Sequence, residues 1–154
     1  MKQRQKSGSI LVVDDETDFL ELIQFIFSEA YNVRGVTTVE DALRELRQVN
    51  TDIVLLDVHL PRRSGWDVLR TLAQQPAAPP VIVVTADGRA QIRAQAEQLG
   101  AVYTLVKPVV PRQLRKIVER CMEAYRSLHG VPASRRALAA ALLNAELQAS
   151  IGLL

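Results

Sequence analysis

Residues 10–16 read Ile-Leu-Val-Val-Asp-Asp-Glu, and residues 53–57 read Ile-Val-Leu-Leu-Asp. Each apolar run is too short for a helix and too continuous for a half-exposed strand, which is the pattern of a strand buried on both faces of a parallel sheet. Two further runs end the same way, Val81-Ile82-Val83-Val84 in Thr85 and Val102 to Val106 in Lys107-Pro108. In a parallel sheet the carboxyl ends of the strands open on one crevice, where ligands bind. That edge gathers Asp14, Asp15, Asp57, Thr85 and Lys107, a set able to hold a divalent cation and a phosphoryl group together.

The segments between the runs read as helices. Phe19, Leu20, Leu22, Ile23, Phe25, Ile26 and Phe27 give a broad apolar face within 16–30. A short strand is expected at Asn32–Val36, and Thr37 with Glu40 forms a capping box opening the next helix. Pro61 and Gly65 bracket a turn before a helix carrying Trp66, Val68, Leu69 and Leu72, which the prolines at 76, 79 and 80 stop. A helix from about Arg89 to Leu99 ends at Gly100, and Pro111 starts the fifth, with Leu114, Ile117, Val118 and Met122 inward. Five strands alternating with five helices predict an α/β, doubly wound parallel sheet.

Composition agrees with a folded domain. Hydrophobic residues make up 48% of the 154, charged residues 23%, and the net charge is +2. So small a charge does not by itself imply nucleic-acid binding. A single cysteine, Cys121, excludes an intrachain disulfide and reads as a buried structural thiol. The chain divides into a flexible basic leader at 1–8, a globular domain at 9–129 and a helical tail at 130–154. The tail, capped by Ser134 and helical from about Arg135, shows no single stripe. Leu138 and Leu142 point one way; Leu143, Leu147, Ile151 and Leu154 point nearly opposite. No signal peptide or convincing membrane span is visible, so a cytoplasmic protein is expected.

The blocks VVDDE at 12–16, LLDVHLP at 55–61, VVTA at 83–86 and LVKP at 105–108 resemble, in order and spacing, the four signature blocks of bacterial two-component receiver domains. The resemblance covers roughly residues 9–128. It implies a chemotaxis-receiver-like fold with flavodoxin-like strand order 2-1-3-4-5. It also implies roles: Asp57 as phosphoacceptor, Asp14, Asp15 and Asp57 as ligands of Mg²⁺ (or Mn²⁺), the backbone carbonyl of His59 as a further ligand, and Thr85 and Lys107 as phosphoryl sensors. The chemistry suits these residues. Mg²⁺ takes carboxylate oxygens and favours phosphate co-ligands. Carboxylates form aspartyl-phosphates, and phosphoryl transfer needs mainly positioning and charge stabilisation.

Taken singly, these residues have plainer readings. A strand-end acid often caps a helix, Thr85 alone ends a strand, and Lys107 alone is a solvated charge. Asp87 reads equally as a helix N-cap or as an influence on attacking water, and His59 as a solvent-facing loop histidine. One departure from the family touches the relay. Where many receivers carry an aromatic three residues before the lysine, this chain has Thr104, and neighbouring Tyr103 should face the other side of the sheet.

The implied function is to accept a phosphoryl group from a sensor histidine kinase or phosphotransfer protein and to switch an output partner the sequence does not name. This is a signalling role rather than an enzyme's. No direct DNA binding by this chain and no membrane association are expected, and a homodimer through the tail is. A phosphatase of haloacid dehalogenase type would place an acid two residues after the nucleophile, where this chain has His59. A phosphate-independent scaffold would not need the acidic set. No GxxxxGK or GxGxxG motif supports a nucleotide-binding enzyme.

Overall fold

The computed structural model describes residues 5–128 and 130–151. Strands β1 (Ser9–Val13), β2 (Asn32–Val36), β3 (Ile53–Leu56), β4 (Val81–Thr85) and β5 (Tyr103–Val106) alternate with helices α1 (Thr17–Phe27), α2 (Val39–Gln48), α3 (Trp66–Ala73), α4 (Ala90–Gln98) and α5 (Pro111–Arg126). A sixth helix, α6 (Ala133–Ile151), follows. All pairings are parallel, in the order β2-β1-β3-β4-β5 that the receiver resemblance implied.

Alternation along the buried strands builds two cores. Ile10, Val12, Ile53, Leu55, Ile82 and Val84 meet α1 and α5 on one face. Leu11, Val13, Val54, Leu56 and Val83 meet α2, α3 and α4 on the other. Cys121 is fully buried in the first core, where burial pushes its thiol up to about 12, so it stays protonated at neutral pH.

Several local expectations need correction. α1 ends at Phe27, and Phe25 lies off its buried face, 83% exposed, because the inward positions are Phe19, Ile23, Ile26 and Phe27. The α2 cap is one residue later than the capping box implied: Thr38 accepts from the Asp41 N–H at 3.1 Å. Ser134 lies inside α6 rather than capping it, since the helix already starts at Ala133. The leader is held from Lys6 onward. The Lys6 ammonium donates to the Ser28 carbonyl, and Ser7 N donates to the Ala30 carbonyl at 2.6 Å. Lys2 and Arg4 of the leader and Leu154 of the tail lie outside the described residues.

α6 folds back antiparallel to α5. Arg120 of α5 donates two bonds to Glu146, at 2.6 and 2.9 Å, and Arg136 lies over the Tyr125 ring, 5.9 Å from its centre. Leu143 and Leu147 join the α1–α5 core, while Leu138 and Leu142 remain 62% and 64% exposed. Burying the two inward leucines contributes about 1.5–3 kcal/mol each, a light hold for a helix of 19 residues.

Candidate functional site

The register brings the strand ends level. Val13 pairs with Leu56 and Leu56 with Val83, so Asp14 and Asp57 emerge side by side, and Asp57 N donates to the Val13 carbonyl at 2.9 Å. Asp14, Asp15 and Asp57 each offer a carboxylate oxygen within 4.8 Å of the others. Asp14 and Asp57 are buried and Asp15 is exposed, so the cluster opens to solvent on one side.

Lys107 enters from the end of β5. Its ammonium donates to Asp14 at 2.7 Å and Asp57 at 3.4 Å, and it lies 4.4 Å from the centre of the Phe19 ring. Burial works against its charge, but the Asp14 hydrogen bond and the charges of Asp14, Asp57 and Glu16 outweigh that and raise its pKa, so it stays protonated. Asp14 is shifted upward. Burial raises its pKa and repulsion from Asp57 adds to this, while bonds from Lys107 and from Glu16 N (2.9 Å) only partly compensate. Three carboxylates against one ammonium leave the cluster two charges negative when ionised. A divalent, oxygen-seeking cation fits that donor set, and Asp14, Asp15 and Asp57 would hold it.

Thr85 is fully buried at the end of β4, its hydroxyl accepting from Asp87 N at 3.2 Å. His59 stands beside this loop. It is exposed on its own loop, as read from the sequence, and what that reading lacked is the contact of its Nε2 with Asp87 Oδ2 at 2.9 Å, which joins the loop after β3 to the loop after β4. Asp87 is no N-cap either: α4 is preceded by Arg89, whose guanidinium grips Asp87 at 2.6–3.1 Å and holds its carboxyl well below the usual range. Arg89 and Phe19 thus belong to the site although no strand-end pattern marks them. Thr104 is buried on the face that α4 covers, and its hydroxyl has no partner among the described residues. Tyr103 packs on the opposite core, as alternation requires.

Gly65 carries a constraint that the turn reading did not expose. A Cβ there would lie 2.5 Å from the Asp57 carbonyl oxygen and 2.7 Å from Val58 Cα, both backbone. Gly65→Ala is therefore expected to displace the chain at Asp57 and to destabilise the domain by about 1–3 kcal/mol, measured by urea unfolding; unchanged stability would show that the loop moves freely.

A family model described as the response regulator receiver domain matches residues 10–119. The chain belongs to the response regulator receiver family. Members take a phosphoryl group on an aspartate, and the family setting disfavours the phosphatase reading. Among curated proteins the chain is 34% identical over 120 residues to the alginate biosynthesis transcriptional regulatory protein AlgB of Pseudomonas aeruginosa, covering 77% of this chain and 27% of that protein. It is 32% identical over 111 residues to the alkaline phosphatase synthesis transcriptional regulatory protein PhoP of Bacillus subtilis, covering 71% and 46%. The chain thus spans between about a quarter and a half of these relatives' lengths. A CheY-like receiver domain protein from Methanospirillum hungatei superposes with a TM-score of 0.74 at 25% identity, over 78% of this chain and 97% of that one. Among the described residues no helix is long and apolar enough to cross a membrane.

Proposed function

We propose that Asp57 is the phosphoacceptor of this receiver and that a sensor histidine kinase or phosphotransfer protein supplies the phosphoryl group. An Asp57 carboxylate oxygen attacks phosphorus, the P–N bond of a phosphohistidine breaks, and the imidazole leaves with the electron pair and takes up a proton. The observation that carries this reading is Lys107, placed between Asp14 and Asp57 at 2.7 and 3.4 Å, a fixed positive charge where phosphoryl oxygens would arrive. Lys107 and the Thr85 hydroxyl take two of those oxygens. A bound Mg²⁺ or Mn²⁺ supplies the remaining charge neutralisation, with the His59 carbonyl as a further ligand. Acetyl phosphate with Mg²⁺ is expected to add one phosphoryl group by intact mass; no adduct with this or any phosphohistidine donor would sink the reading.

The division we infer is a leader at 1–8, a receiver at 9–129 and a tail at 130–154. The relatives are transcriptional regulators by name, but neither an output partner nor direct DNA binding is assigned to this chain. The tail's outer face, Leu138 and Leu142, is apolar and exposed, and a second copy of the chain covers it in our reading. Light scattering should find a dimer that the variant Leu138→Glu/Leu142→Glu turns into a monomer. A monodisperse monomer for the parent chain refutes self-association.

A further inference from the structure

Helix α6 is anchored to all three elements of one flank of the domain. Glu146 takes two bonds from Arg120 on α5. The Asn144 amide donates to the Val102 carbonyl at the foot of β5 at 2.6 Å, and the Gln148 amide donates to Glu97 on α4 at 3.2 Å. β5 is the outer strand of the sheet, so α6 lies across the flank made by α4, β5 and α5. Three anchors on three elements are satisfied together at one relative placement of those elements.

Two of the three elements also lead into the phosphoryl crevice. β5 runs from the Asn144 anchor to Lys107, whose backbone N–H donates to the Thr85 carbonyl at 2.8 Å. α4 follows the loop that Thr85 opens, where the Thr85 hydroxyl is committed to Asp87 N. α4 is lightly held. It buries only Ile92 and Ala96, has no side-chain cap at its N-terminus, and covers the sheet face where the Thr104 hydroxyl is buried without a partner among the described residues. An unpaired buried hydroxyl is a cost of the present packing that another arrangement would relieve.

We propose that α6 is a strap that holds α4 and β5 in their unphosphorylated placement, so that docking of α6 and phosphorylation of Asp57 oppose each other; this rests on the Asp57 reading above. A phosphoryl group on Asp57 draws the Lys107 ammonium away from Asp14 and the Thr85 hydroxyl away from Asp87 N. Each shift acts on an element whose far end carries an α6 anchor. Packed elements respond by changing place rather than by stretching, so at least one anchor breaks. Linkage makes the effect reciprocal: whatever loosens α6 favours the phosphorylated state by the same factor. In a chain without the usual aromatic at position 104, the strap replaces that residue as the readout.

The test uses the full chain. After acetyl phosphate and Mg²⁺ have added a phosphoryl group by intact mass (the O–P bond to Asp57 forming as acetate leaves), backbone amides of α6 should exchange with deuterium about fivefold faster or more, while α1 is unchanged. The variant Asn144→Ala/Gln148→Ala loses the β5 and α4 anchors but keeps both leucines and Glu146. With Mg²⁺ it should bind beryllofluoride, an acyl-phosphate mimic, about fivefold more tightly than the parent. Unchanged or slower α6 exchange in chain shown by mass to be phosphorylated, or unchanged beryllofluoride affinity, would make α6 a static part of the fold and overturn the strap alone. Absence of any adduct from acetyl phosphate and from a phosphohistidine donor alike, seen in the mass before exchange is measured, would overturn the Asp57 reading and the strap with it.

Discussion

Asp57→Asn is expected to abolish phosphoryl uptake altogether, from acetyl phosphate and from a phosphohistidine donor alike. The amide has the carboxylate's shape, so the Asp57 contacts survive in part: its oxygen can accept from His59 N, which lies 3.0 Å from Asp57 Oδ1 in the parent chain. What is lost is the charge and with it the nucleophile. Neither neighbour replaces it. Asp14 is fully buried, with Lys107 at 2.7 Å and Glu16 N at 2.9 Å already on its oxygens, and Asp15 is exposed, away from the buried ammonium that would neutralise an incoming phosphoryl group. Loss of the adduct by at least about a thousandfold, some 4 kcal/mol or more in transition-state stabilisation, should accompany an unfolding midpoint at or above that of the parent, because one repelling charge has gone. Persistent labelling of this variant would move the phosphoacceptor elsewhere.

The fold was legible where burial on both faces leaves an unbroken apolar run. All four runs became strands, and β2, short and partly exposed, was found at its expected bounds. Turn chemistry served as well: Gly100 sits at φ +94 after α4 and Pro111 opens α5. Helix ends were less legible, since Thr37 and Thr38 are both competent caps and only tertiary placement selects Thr38. Phe25 shows the same limit, because an apolar residue at the wrong angle of a helix stays outside whatever its hydropathy. The strand-end residues of the site could be gathered from topology alone. The pairing of His59 with Asp87, and of Asp87 with Arg89, could not, because it depends on how two loops lean toward each other. Nor could the tail's anchors: Asn144, Glu146 and Gln148 are ordinary helix polars until α5, β5 and α4 are placed beside them.

Removing both Asp14 and Asp15 should separate metal binding from folding. Each carboxylate beside a divalent ion is worth more than 1.4 kcal/mol even with strong screening, so Asp14→Asn/Asp15→Asn should weaken Mg²⁺ by about a hundredfold or more in a calorimetric titration. Without metal the double variant should be as stable as the parent or more so. The sign follows from Asp14. Burial raises its pKa above 3.8, so the folded chain holds that proton more tightly than the unfolded chain does. Its contribution to stability is therefore largest below 3.8 and is lost as pH rises through the raised folded value, which leaves an ionised, poorly solvated carboxylate at neutral pH. Asparagine removes that cost and can still accept from Lys107. In the parent, Mg²⁺ at neutral pH should raise the melting temperature by offsetting the same charge, and the rise should shrink on acidification as Asp14 takes up its proton and ceases to be a ligand. A double variant that melts well below the metal-free parent would mean that the Lys107–Asp14 ion pair is a net stabiliser. Unchanged Mg²⁺ affinity in that variant would place the cation outside the three-carboxylate cluster.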